Sequence, residues 1–331
     1  MERIGKGRYR RIVILMSVSL GILSGFLIGT SFAASGDFPK KEITIIVNLA
    51  PGGARDTTAR GVAHIMGKHL GVPMVVVNMP GAGGAQGIAK VYNSANDGYT
   101  IGIGGTTDIM QQILEKQDYD SKKFAYIGKL EQSPSNFFVK TDSPFRSVKD
   151  FKTFGKKIRY STHSLTTTAT VAAIILEERV GFPLVIVGGY KGGSAAVLGL
   201  VRGEVEFSGV TRVSAMPFVQ SGQIRPILTI DQIRSPYFPD IPTTGELGWP
   251  DLEILANTYW FMAPPGVPKD RMKILEDALM KTLKDPEFLK WAKGAGVDPS
   301  PLGAQETGKL VFNCIDFFEK YKKHIEKYIE K

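Results

Sequence analysis

Sulfur and imidazole are what this chain of 331 residues has least of: one cysteine and four histidines. A single thiol excludes an intramolecular disulfide. Cys314 sits in an apolar helical stretch (Leu310, Val311, Phe312, Ile315, Phe317, Phe318) and reads as core. His64, His69 and His324 fall in helical patterns, as surface or packing residues. His163 lies in a hydroxyl-rich loop, with no GxSxG elbow to accompany it. No His, Cys and Asp cluster has metal-ligand spacing, and neither GxxxxGKS nor GxxxxGKT occurs. Nucleophilic, metal-assisted and P-loop chemistry all lack their residues, so no catalytic set, metal or cofactor is expected. Internal repeats and low-complexity runs are absent as well.

Positive charge is present but unevenly placed. Of the net +9, four charges come from Arg3, Lys6, Arg8, Arg10 and Arg11 against Glu2 in the first eleven residues. Ile12 to Phe32 is then uncharged and largely apolar, and Ser31-Phe32-Ala33 fits a small-x-small cleavage site. Residues 1–34 therefore read as a secretory signal peptide, with a retained membrane anchor as the alternative. No cysteine adjoins the cleavage point, which argues against a lipoprotein. The remaining excess of +5 favours anionic ligands in a general way but is too dispersed for nucleic acid. Export to the periplasm is the expectation. Nearly 300 mature residues are enough for two domains.

Three strand-loop-helix passages open the mature chain. Ile43, Ile45, Ile46 and Val47 form a β-branched run broken by Pro51-Gly52-Gly53, and a helical pattern opens at Asp56-Thr57-Thr58. Met74 to Val77 leads to Gly81-Ala82-Gly83-Gly84-Ala85-Gln86-Gly87 and a second helix. Those glycines are spaced GxGxxxG, and no acidic residue ends a following strand, so a nicotinamide site is not supported. Tyr99 to Ile103 leads to Gly104-Gly105-Thr106-Thr107-Asp108. The three loops should share the carboxyl edge of one parallel sheet, where open α/β sheets bind ligands. A helix entered through a glycine turn aims free N–H groups and its positive dipole end at that edge, a seat for an anion. The plainer alternative is a tight turn at Gly52 and Gly53, with Asp56 as a helix cap.

The α/β pattern continues. Strands are expected at Phe137–Val139, Ile158–Ser161, Leu184–Val187, Val205–Phe207, Pro226–Leu228 and Thr258–Met262. Helices are expected at Ser147–Phe154, from the Ser/Thr-rich Thr162–Thr170 to Val180, and from Ser194 through Leu200. Everything after Pro268 reads as helical, with Asp285-Pro286 restarting a helix and Gly294–Gly303 as loop.

Five motifs in order, PGGARDTTAR (51–60), NMPGAGGAQGIAKV (78–91), NDGYTIGIG (96–104), YKGGSAAVLGLVRGEVEF (190–207) and FPDIPTTGELGWPDLE (238–253), carry a resemblance. Together they resemble the solute-binding proteins of tripartite tricarboxylate transporters, the TctC or Bug family, over essentially the whole mature chain. The resemblance implies a type II periplasmic binding protein fold, two α/β domains with an interdomain ligand cleft. Domain 1 would take residues 37–136 plus 256–331, and domain 2 residues 137–255. It implies a monomer that captures a small anionic carboxylate and delivers it to integral-membrane permease subunits. A ligand-presenting subunit of a membrane sensor and a secreted hydrolase or isomerase are the alternatives.

The ligand-binding residues it implies are Pro51, Gly52, Gly53, Ala54, Arg55 and Asp56 after the first strand, with Gly83 in the second loop. Thr106 and Thr107 follow the third strand. His163, Ser164, Thr166, Thr167 and Thr168 come from the second domain, with Lys191 and Gly192 before its next helix. Two departures from the family pattern stand out. Ser164 and Thr166 replace glycines of an SxGxGS run, which narrows the space and adds hydroxyl donors. Arg55 replaces a small residue, and its guanidinium is expected to meet a ligand carboxylate in a bidentate contact, with a side chain that only points to solvent as the alternative.

Overall fold

Runs of β-branched residues become strands where the sequence leads one to expect them. The computed structural model of the protein describes residues 38–329, so the expected signal segment lies outside the described residues. In chain order the first elements are β1 (Ile43–Val47), α1 (Ala54–Leu70), β2 (Met74–Asn78), α2 (Ala85–Tyr92), β3 (Thr100–Gly105), α3 (Thr106–Leu114) and β4 (Ala125–Ser133). There follow β5 (Ser135–Lys140), α4 (Asp150–Thr153), β6 (Ile158–Ser161), α5 (Thr168–Val180), β7 (Leu184–Val187), α6 (Gly193–Val201), β8 (Phe207–Thr211), α7 (Arg212–Gln220) and β9 (Ile224–Thr229). The chain closes with β10 (Asn257–Ala263), α8 (Lys269–Thr282), α9 (Pro286–Ala295), β11 (Pro299–Leu302) and α10 (Ala304–Ile329).

The strands form a six-stranded sheet, β11-β4-β10-β3-β1-β2, and a five-stranded sheet, β7-β6-β8-β5-β9. In the first, β1 pairs parallel to both β2 and β3. The three glycine-rich loops therefore leave the same sheet edge, as the sequence implies. In the second, β6 is parallel to β7 and β8, while β5 runs antiparallel to β8 and β9. Only Pro134 separates β4 in one sheet from β5 in the other, and the chain returns between β9 and β10. The fully buried strand residues Ile43, Ile45, Val47, Ile101 and Ile103 exclude water from the first sheet. Phe137, Tyr160 and Phe207 pack edge-on or tilted inside the second, with ring centroids 4.8–6.2 Å apart. Cys314 is buried on α10, and desolvation pushes its thiol up to about 12.

Several boundaries move. The helix expected at 147–154 is only the single turn α4, and β8 starts at Phe207, not Val205. The stretch 294–303 is not all loop: β11 pairs antiparallel with β4, placing Pro299 opposite Glu131 and Leu302 opposite Lys129. Two prolines in four residues hide a strand from propensity, and the sheet edge is where such a strand is tolerated. Among the described residues no helix is long and apolar enough to cross a membrane.

Candidate functional site

The loop after β1 is exposed from Leu49 to Gly53, and Gly52 supplies the left-handed turn (φ 83°) that swings the chain into α1. Gly53 caps that helix with its backbone alone. Asp56, the third helical residue, accepts from the Gly52 N–H at 2.9 Å, from Asn78 Nδ2 at 2.9 Å and from Arg60 Nε at 3.0 Å. Burial pushes its carboxyl up, but these hydrogen bonds outweigh burial and hold it below the usual carboxylate range. Asp56 thus acts as an N-terminal acid within the helix start. The glycine run 81–87 serves packing: a Cβ at Gly87 would meet Asn48 Cα at 2.7 Å and Met79 O at 2.9 Å. Gly83 sits at φ 65° beside Gln111, which donates to Ala82 O at 2.8 Å.

Arg55 turns inward. Its Nη1 donates to both carboxylate oxygens of Asp108, at 2.9 and 3.0 Å, and also to Asn48 Oδ1; Nη2 donates to Thr107 Oγ1 at 3.1 Å. The guanidinium lies 5.0 Å from the Tyr259 ring centroid. Asp108 is the third residue of α3 and accepts the Gly105 N–H at 2.7 Å. Arg55 is 3 % exposed; burial disfavours its charge, but Asp108 more than compensates and raises its pKa. The fork that the sequence offers to a ligand is spent on a carboxylate of the protein itself. Thr106 is also buried and donates to Ala256 O at 3.2 Å.

Across the cleft the loop between β6 and α5 is knitted by its own hydroxyls. Thr167 caps α5 by accepting the Thr170 N–H at 3.1 Å. Ser164 and Thr166 pair hydroxyl to hydroxyl at 3.0 Å. His163 is exposed, and partial desolvation holds its imidazole below the usual histidine value. Gly192 (φ 113°) caps α6 after the exposed Lys191, and Thr211 caps α7.

A cleft of about 300 Å³ runs between these walls. Of the expected residues it gathers Thr107, His163, Thr167 and Thr168; Arg55, Asp56, Ser164, Thr166, Lys191 and the glycine loops are not in its lining. The lining also takes Ser135, Ala169, Gly193, Gly209, Val210, Thr211, Ser214 and Asn257, which the sequence reading missed. A threonine two residues after a strand core, opening Arg212-Val213-Ser214, was an available cap signal for α7, but Pro217 inside that helix masked it. First turns of α3, α5, α6 and α7 all face the cleft; Asp108 compensates the α3 start and Thr167 takes one N–H of α5, while the α6 and α7 starts have no side-chain cap. No Asp, Glu, Lys or Arg among the described residues is in the lining. Among the described residues no group of three or more His, Cys, Asp or Glu could hold a metal ion. The arrangement can hold an anion by neutral donors; it has no assembled catalytic set.

Comparison with known proteins agrees with this geometry. BugT of Bordetella pertussis is 28% identical over 297 residues, covering 86% of this chain and 90% of its own length. A solved periplasmic transporter is 29% identical, with a TM-score of 0.69, covering 86% of this chain and 97% of its own. An R. palustris protein solved with adipate shares the fold (TM-score 0.70, 24% identity, 88% and 99% covered). The family model for the tripartite tricarboxylate transporter family receptor, TctC, matches residues 58–328. This chain belongs to that receptor family.

Proposed function

We propose that this protein is a periplasmic solute receptor that holds a small carboxylate in the cleft between its two sheets and passes it to a membrane permease. One observation carries the reading: the starts of α5, α6 and α7, none with an acid in its first turn, and a set of hydroxyls line one cleft where, among the described residues, no acidic side chain stands. Such a wall suits an anion and repels nothing. The proposed lobes are residues 37–136 with 256–331, and 137–255, with closure over the acid as the working motion. The protein acts as a monomer, exported through residues 1–34, and returns its ligand chemically unchanged.

The test is a thermal-shift screen of the mature protein against adipate, malate, citrate, glutamate and benzoate. An acid at a hundred times its Kd stabilises by about 2.7 kcal/mol, on the order of 5 °C in Tm. An unshifted Tm across all five would overturn the reading.

A further inference from the structure

The cleft wall is built from groups that keep one charge state. Hydroxyls from the first turns of α3, α5 and α7 and the Asn257 amide are neutral at any working pH. His163 is the one side chain of the lining that titrates near neutrality. The charged groups behind it are engaged or apart. Arg55 and Asp108 are bonded to each other beneath Thr107. Arg212, first residue of α7, reaches Asp298 at 3.4 Å and stacks 3.7 Å from the Tyr237 ring centroid. Lys191 is exposed ahead of α6.

Resting on the receptor reading above, we infer that His163 takes up a proton as the acid enters, so that the receptor captures a carboxylate together with H⁺. The charge balance drives this. The starts of α5, α6 and α7 each supply about half a positive charge, shared with solvent, and among the described residues no fixed cation lines the wall to complete the compensation. A carboxylate brought beside the imidazole favours its charged form, while without the anion partial desolvation favours the neutral ring. Ligand entry and protonation therefore assist one another, each by the same factor. Among acids of similar size, those with a second ionised carboxyl gain most.

Isothermal titration tests the coupling, with adipate, malate, citrate, glutamate and benzoate as probes, in HEPES and in Tris, buffers of different ionisation enthalpy. Wild type should show a buffer-dependent enthalpy that corresponds to net proton uptake. Its affinity should tighten about two- to tenfold per pH unit from pH 8 to 6. His163→Gln, which keeps a donor but cannot titrate, should bind with equal enthalpies in both buffers and a flat pH profile. Equal enthalpies in wild type would overturn proton uptake while leaving the receptor reading intact. Uptake that persists in His163→Gln would overturn the assignment to His163. No heat and no thermal shift from any probe would overturn both.

Discussion

The two walls of the cleft start their helices differently. On the first-sheet side the third residue of α1 is Asp56 and the third residue of α3 is Asp108, each accepting a backbone N–H at its helix start. On the second-sheet side the third residues of α5, α6 and α7 are Thr170, Ala195 and Ser214, and none of these helices has an acid in its first turn. The first wall is internally compensated, and its acids are in turn held by Arg60 and Arg55. The second wall places no acid at its positive ends: α5 is capped by the neutral Thr167 hydroxyl, and α6 and α7 have no side-chain cap. A glycine turn before a helix is therefore not enough to mark an anion seat; what stands at the third helical residue decides whether the seat is free.

The largest test of this contrast is Arg55→Ala. If the guanidinium serves the compensated wall, its removal leaves Asp108 buried beside Asn48 and without a cation, at a cost of about 3–5 kcal/mol. Urea unfolding of the variant should show that loss as a lowered midpoint with an unchanged slope. A guanidinium that met only the ligand predicts a stability change within about 0.5 kcal/mol and a loss confined to affinity.

A third acid, on a strand of the first sheet, has no paired cation among the described residues. Glu131 on β4 is buried and accepts from Thr58 Oγ1 at 3.2 Å. Burial, reinforced by Asp298 and only partly offset by Thr58, pushes its carboxyl up to about 7. Its folded pKa lies above its unfolded value, so the folded state binds more protons between the two. Stability should be greatest below about 4.5 and fall, by on the order of 2–3 kcal/mol, as pH rises through about 7. Glu131→Gln keeps a group that accepts from Thr58 and has nothing to ionise. The difference between variant and wild type in urea unfolding should grow from near zero at pH 4.5 to its full size at pH 8. A difference that does not change with pH would separate Glu131 from this linkage.

How much of this was legible depended on range. Strand β1 was readable because a buried parallel strand is a continuous apolar run, and β2 and β7 because their apolar, β-branched residues mark a strand even where half-exposed. Strand β4 was not, since Lys129 and Glu131 interrupt its apolar residues yet are both about 5% exposed. The hydroxyl loop that contributes His163, Thr167 and Thr168 announced itself by composition alone. The β8–α7 junction did not, because a proline lies within the helix it opens. Arg55 was conspicuous in sequence, but its direction is set by Asp108, 53 residues further on. A local reading sees the charge and not its partner. That partner also explains how an arginine is accommodated at this turn: its charge has a buried counter-ion.

The smallest change in stability comes from moving an acid across the cleft. Ser214→Asp would give α7 the third-residue acid that α1 and α3 already have. Ser214 is half-buried in the lining, and its backbone carbonyl accepts from Ser194 Oγ at 3.4 Å. A carboxylate there meets the helix-start N–H groups, and stability should rise by about 0.3–1 kcal/mol. The same carboxylate takes the N–H groups from a ligand and faces it with a like charge. Affinity for any acid found in the screen should drop at least about tenfold, equivalent to about 1.4 kcal/mol or more, because like charges set against each other are strongly unfavourable. Ser214→Asn has similar size and no charge, so it should leave most of the binding in place. Titration calorimetry and thermal melts on both variants read the two effects separately. An aspartate that stabilised the fold and left affinity untouched would show that the α7 start is not part of the seat, and the open wall would then rest on α5 and α6.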